Sequence, residues 1–269
     1  MLRNKIYVKV LCTVLALFLV FGLTAQNPYE LNYKRDIPIL FIGVGGQTAA
    51  IYIFATANGL SEEEVSDLDK NDINKFDRPA TGYNSAAART TSDILLASSI
   101  ALPIALLANK NIRNGYLEVG VMAAEAFLIN GITTSFTKEL ATRARPFAYN
   151  PDIDLEEKTK FRARLSFYSG HTSSTSAMFY FSAKVFSDYY PESKWKPLVW
   201  SVAAIAPAVT GYMRVRGGEH FPTDVITGYL AGGIIGYLIP HLHRKKDKDQ
   251  KVGFRLHPGI NSFGMTMTW

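Results

Sequence analysis

Apolar residues in this chain gather into long uncharged stretches and seldom alternate with polar ones. Residues 37–60 and 94–109 carry no charge at all, and 116–137 hold only Glu118 and Glu125. Residues 172–183, 197–213 and 225–242 continue the pattern. Ala, Leu, Ile and Met recur through all six, which predicts six helices. Between them lie polar clusters with Pro and Asn, such as 150–152 and 191–194, read as loops. Ser61 followed by Glu64 reads as a capping box opening a short acidic helix. Only residues 252–269 change period. Val252, Phe254 and Leu256, then Phe263, Met265, Met267 and Trp269, alternate with polar or small residues around Pro258-Gly259. That predicts a terminal hairpin. The fold class expected is all-α, a six-helix bundle with a short C-terminal β-hairpin.

The first 25 residues form a separate signal. Arg3, Lys5 and Lys9 precede an uncharged run from 10 to 23, shorter than a comfortable membrane span. Thr24-Ala25 ends it on a small residue, so 1–25 reads as a secretory leader, with an uncleaved anchor as the alternative. The remaining organisation is an N-terminal helical segment (26–85), a helical core (86–242) and a charged linker with the hairpin (243–269).

Composition narrows the classes. With 48% hydrophobic and 19% charged residues the chain is not disordered. Its single cysteine, Cys12, excludes a disulfide framework. Of the net charge of +6, three charges belong to the leader. That weakens a nucleic-acid partner, for which no motif is present.

Three blocks carry the candidate chemistry. Lys138 and Arg145 are two helical turns apart, so a helix ended by Pro146 would present both on one face, or they form an ordinary solvated basic helix end. Ser169-Gly170-His171 opens a helix whose N-terminal amides suit an anion, or Ser169 is an ordinary cap. Arg214, His220 and Asp224 bracket the start of the last helix. There a carboxylate beside an imidazole frees the other ring nitrogen to attack or take a proton, or Asp224 simply caps. Fixed cations, amide donors and two histidines together suit phosphoryl transfer. No Asp/Glu/His spacing marks a metal site, and no cofactor is implied.

The three blocks resemble the type 2 phosphatidic acid phosphatase superfamily, whose fold is shared with vanadium haloperoxidases. Its pattern is Lys-x6-Arg-Pro, then Pro-Ser-Gly-His, then Ser-Arg-x5-His-x3-Asp. Lys138, Arg145, Pro146, Ser169, Gly170, His171, Arg214, His220 and Asp224 match it, over roughly residues 86–242. Tyr168 and Met213 replace the family Pro and Ser. The resemblance implies that His220 is the nucleophile of a phosphohistidine and Asp224 orients it. It makes His171 the general acid and then base, with Lys138, Arg145, Ser169, Gly170 and Arg214 holding phosphate. The expected function is metal-independent hydrolysis of a phosphomonoester or diphosphate, on a phosphorylated lipid or a small phosphoester. The alternatives are a broad-specificity periplasmic acid phosphatase and a vanadate-dependent haloperoxidase.

Localisation rests on conflicting signs. Several apolar stretches reach spanning length, yet mean hydropathy is near zero. A cleaved leader with six crossings places the site inside, whereas the basic tail after Leu242 places it outside. Gly43, Gly45, Gly46 and Gln47 make 37–60 the candidate for a helix that does not cross. The expectation is an exported, membrane-associated protein whose site faces the periplasm, with a soluble periplasmic protein as the alternative. Loops 61–93 and 147–168 are expected to set specificity. Tyr149, Phe161, Phe167 and Tyr168 either contact a lipid chain or pack internally.

Overall fold

The computed structural model describes residues 27–245, 253–259 and 262–268. The leader expected over 1–25 lies outside them. Six long helices dominate: α1 (Tyr33–Thr56), α2 (Ala86–Leu106), α3 (Tyr116–Ala141), α4 (Gly170–Tyr189), α5 (Lys196–Arg216) and α6 (Pro222–His243). Each contains one of the six apolar stretches or most of it. Asn32, Ser85 and Ser169 cap α1, α2 and α4 with side-chain oxygens, and α6 opens on Pro222, whose fixed φ suits that position. The short helix Glu62–Ser66 carries the capping box, Ser61 and Glu64 each bonding the other's backbone amide. Gly253–Gly259 pairs antiparallel with Ser262–Thr268, Phe254 opposite Met267.

Successive helices alternate in direction. Gly43 and Gly46 of α1 meet Leu128 and Ile132 of α3, so those two helices run parallel. Asn130 bonds Ser173 and Ser174 while Thr134 lies beside Gly170, so α3 and α4 are antiparallel. Gly232 and Gly236 of α6 abut the carbonyls of Ser173 and Ala177, so α4 and α6 are parallel and in very close contact. A Cβ on Gly232 would sit 2.0 Å from the Ser173 oxygen, so only glycine fits. Hence α1, α3 and α5 end where α2, α4 and α6 begin. Residues 57–85, 142–169 and 217–221 share that end of the bundle. At the other end Glu30 and Lys245 amides donate to His243 and Pro28 carbonyls, joining the two terminal segments.

α4 is enclosed by α2, α3, α5 and α6. Its buried Ser173, Thr175, Ser176 and Ser182 show why its apolar stretch is short: it faces protein on all sides. The outer helices are the reverse. Phe41, Ile51 and Tyr52 of α1, Ile205 and Tyr212 of α5, and Ile226, Leu230, Ile234 and Leu238 of α6 are all exposed. The α6 set repeats every four residues, one apolar stripe facing outward. An apolar surface of this extent has lipid as its solvent. Segments Tyr33–Thr56, Tyr116–Tyr149, Lys196–Arg216 and Pro222–His243 are long and apolar enough to cross a membrane. The glycines of α1 are therefore not a break. Gly43 and Gly46 are the seam on which α1 packs against α3, and the helix is continuous, long and apolar enough to cross. His243, assigned to the linker from sequence, is the last residue of α6 and fully buried.

Candidate active site

All eight candidate residues lie at the end of the bundle that carries the long loops. The first block reaches it by a different route from the one its spacing suggests. α3 stops at Ala141 because Thr142 turns left-handed (φ 42°), its amide donating to the Lys138 carbonyl. Arg145 then follows in extended backbone. Lys138 and Arg145 do not share a helical face; a sharp exit and a short loop bring them together. Lys138 is buried, its Nζ donating to the Leu165 carbonyl at 2.7 Å. Its stem passes Gly170, where a Cβ would come 3.8 Å from the lysine Cε.

At the start of α4, Ser169 Oγ accepts from the Thr172 amide and its own amide donates to the Asp224 carbonyl at 3.0 Å. That backbone bond ties the second block to the third. First-turn amides of a helix lack internal partners and carry its positive dipole end. His171 sits in that turn, its Nε2 2.9 Å from Asp93 Oδ1 of α2. Burial first, then the Arg214 charge, pull its pKa down to about 4 against the pull of Asp93.

His220 precedes α6 by two residues and is buried. Burial and the charges of Arg145, Lys138, Arg214 and His171 hold it well below the ordinary histidine range. It is therefore a neutral imidazole with a free lone pair at neutral pH. Its Nδ1 is 3.6 Å from Asp224 Oδ2, longer than a hydrogen bond. Asp224 is held by others: Ser166 Oγ at 2.6 Å, the Phe221 amide at 2.9 Å and Arg143 Nη1 at 2.6 Å. Both readings of Asp224 thus coexist, since it caps α6 and also faces the imidazole.

Sequence reasoning missed the residue at the centre of this charge. Glu219 accepts from Arg145, from Arg214 at 3.2 Å and from Arg162 at 3.2 Å. Burial raises its carboxyl, but Arg145, Arg214 and Arg162 outweigh that and hold it below the usual carboxylate range. Glu219 directly precedes His220, and its place between two motif positions was the only signal available. Arg143, Asp77, Asp93 and Ser166 were also missed. Asp77 binds Arg143 Nη2 at 2.8 Å and the Thr223 amide at 3.0 Å, bracing the start of α6. Of the aromatic residues in the loops, Tyr168 is buried and donates to Thr133, while Tyr149 packs edge-on against Phe221.

Two buried guanidinium nitrogens here have no partner, Arg145 Nε and Arg214 Nε. Buried donors left over in a cationic site are complementary to an anion.

Comparison with known proteins shows what an all-α bundle with this cationic, two-histidine end is similar to. Residues 119–248 match the PAP2 superfamily. The chain is 29% identical to the lipid A 4'-phosphatase of Porphyromonas gingivalis over 144 residues, 52% of this chain and 57% of that protein. It is 27% identical to the lipid A 1-phosphatase of Rhizobium etli over 72% of this chain and 79% of that one. It is 29% identical to an undecaprenyl-diphosphatase of Sulfolobus acidocaldarius over 45% of this chain and 53% of that one. The match thus spans little more than half the length of two of these relatives. Over these residues the chain resembles the type 2 phosphatidic acid phosphatases, and it is all-helical in its described core. With four helices fit to span among the described residues, it is a membrane protein.

Proposed function

We propose that the chain hydrolyses a phosphate ester of a lipid through a phosphohistidine on His220. The observation that carries this is the set of unpartnered buried donors on Arg145 and Arg214 beside a neutral His220. In this reading Lys138, Arg145, Arg214 and the amides around Ser169 and Gly170 hold the phosphoryl oxygens. His220 Nε2 attacks phosphorus, the N–P bond forming as the P–O bond to the lipid breaks. His171 gives its proton to the departing oxygen. It then takes one from water, whose oxygen bonds phosphorus as the N–P bond breaks. A bound dianion favours protonated His171, offsetting the burial that lowers its pKa. Asp224 orients His220 once the 3.6 Å separation closes to hydrogen-bond length.

The lipid assignment rests on position. The site lies at the bundle end, where head groups lie, and the outward apolar stripe of α6 begins at Ile226, two residues past Asp224. The named relatives act on lipid A or on a polyprenyl diphosphate, and this chain is proposed to take a substrate of that kind.

Alkaline denaturation during turnover of 32P-labelled lipid phosphate should trap label on His220, because the P–N bond survives base. His220→Ala should remove both label and turnover. Label on serine, or turnover surviving in His220→Ala, would overturn the mechanism. A screen of lipid and water-soluble phosphates in detergent tests the substrate class. Equal rates on both would favour a broad-specificity enzyme.

We further propose that the site faces the periplasm. The opposite end carries short loops with Lys110, Arg113, Lys194 and Lys196, and the basic pair Arg244-Lys245 after α6. Residues 27–32 stand at that same end, so a leader cleaved before Gln26 and a periplasmic site are alternatives when the bundle spans. In a Cys12→Ser background, an impermeant maleimide on intact cells should label Ser61→Cys and spare Ser193→Cys. The reverse result would put the site inside.

A further inference from the structure

A second cluster of ionisable groups is buried at the other end of the bundle. Asp36 lies in the first turn of α1, Glu125 within α3, and His243 ends α6. Glu125 and His243 are fully buried and Asp36 nearly so. His243 Nε2 is 3.3 Å from Asp36 Oδ1 and 3.2 Å from Glu125 Oε2. Asp36 is also held by Arg35 Nε at 2.6 Å and by the Asn32 amide at 2.7 Å. Arg35 in turn donates to the Leu242 and Glu30 carbonyls. Glu125 has no donor on either oxygen, and His243 Nε2 has no hydrogen-bond partner.

The tautomer of His243 decides what these atoms need. Its Nδ1 is 2.8 Å from the Ile239 carbonyl, which only accepts, so Nδ1 carries the proton. In the neutral ring, Nε2 then turns a lone pair toward two carboxylate oxygens. Three lone-pair atoms facing one another in a buried site need a proton or a metal ion among them. A proton on Nε2 is one candidate. Neither oxygen, however, lies where that N–H would make a hydrogen bond. A metal ion serves all three ligands at once. With bonds of about 2.0–2.1 Å, tetrahedral ligands stand roughly 3.3–3.4 Å apart. The two separations at His243 are of that size, and all three ligand atoms lie within 4.8 Å of one another.

We propose that Asp36, Glu125 and His243 form a site for a divalent transition-metal ion, with Zn2+ as the probe. One imidazole and two carboxylates suit Zn2+ or Mn2+ better than Ca2+, which takes oxygen ligands in larger number. The Ile239 carbonyl sets the ring, and Arg35 with the Asn32 amide sets Asp36. The ion joins α1, α3 and α6 where the two terminal segments meet, so its role is to hold the fold. This inference is independent of the chemistry proposed for the other end.

Untagged full-length protein in detergent should carry about one equivalent of metal by elemental analysis. EDTA should lower its Tm by several degrees, and Zn2+ should restore it. Co2+ added to the stripped protein should produce visible d–d absorption. His220→Ala should keep all three responses, which separates this site from the active one. Glu125→Gln and His243→Gln should lose them. Metal-free wild type whose Tm ignores EDTA and Zn2+, and which stays colourless with Co2+, would overturn the proposal without needing a variant to fold. Undiminished Zn2+ binding in both glutamine variants would also overturn it.

Discussion

His220 Nδ1 and Asp224 Oδ2 stand 3.6 Å apart, while the same carboxylate already accepts from Ser166, the Phe221 amide and Arg143. Asp224 is thus fixed first as a structural anchor and only then faces the histidine. Asp224→Asn keeps the shape and removes the charge. Turnover should fall by roughly 10²–10⁴-fold, as when a histidine loses the carboxylate that sets its tautomer. Tm should fall too, because Arg143 loses a charged partner. Steady-state rates with a melting curve check both. A normal rate with a lowered Tm would leave Asp224 purely structural.

Glu219 neutralises three guanidinium groups that would otherwise repel one another. Glu219→Gln leaves the cage more positive. The variant should be less stable alone, by about 3 kcal/mol. It should bind vanadate more tightly than wild type, so that adding vanadate restores much of the lost Tm. Calorimetric titration and melting curves measure the two effects. Weaker vanadate binding would show that Glu219 positions the arginines and does not compete for them.

Lys138→Ala and Arg145→Ala each remove a charged donor from the proposed phosphate site. Each should weaken vanadate or product phosphate binding by about 1.5–3 kcal/mol, roughly tenfold or more. Unchanged inhibition constants in both variants would remove these residues from the cage.

Stability should decline with acid through the histidines. The pKa of His171 in the folded protein is lowered to about 4 from 6.5. Between those values the unfolded chain takes a proton that the folded chain refuses, so stability is full above pH 6.5 and falls toward pH 4. The loss from His171 is on the order of 3 kcal/mol, and His220 acts in the same direction. His171→Gln should flatten this decline, as read from denaturant midpoints across the window. Vanadate should bind more tightly as pH falls through it, since the bound anion favours protonated His171.

The seam between α4 and α6 tolerates no side chain at Gly232. Gly232→Ala should cost about 1–3 kcal/mol or displace α6, and so disturb Asp224 as well. Gly45→Ala is the control. Nothing lies within 4 Å of its added Cβ, and a helical alanine should stabilise by up to about 1 kcal/mol. Melting curves of the two variants should move in opposite directions.

The sequence by itself determined the six helices, because apolar residues recur at local spacing and Ser169 marks a helix start. It also singled out the side chains proposed to handle phosphate, since Lys138, Arg145, Ser169–His171, Arg214, His220 and Asp224 keep an ordered spacing. Tertiary structure alone decided how they converge. Thr142 ends α3 early, so Arg145 arrives by a loop, and three arginines close on Glu219 from 5 to 74 residues away. It also decided that Asp36, Glu125 and His243 meet, although most of the chain separates the first from the last. Spacing along the chain encodes neighbours within a few turns. Contacts between helices depend on which faces pack, and here glycine seams and direction, not sequence proximity, choose them.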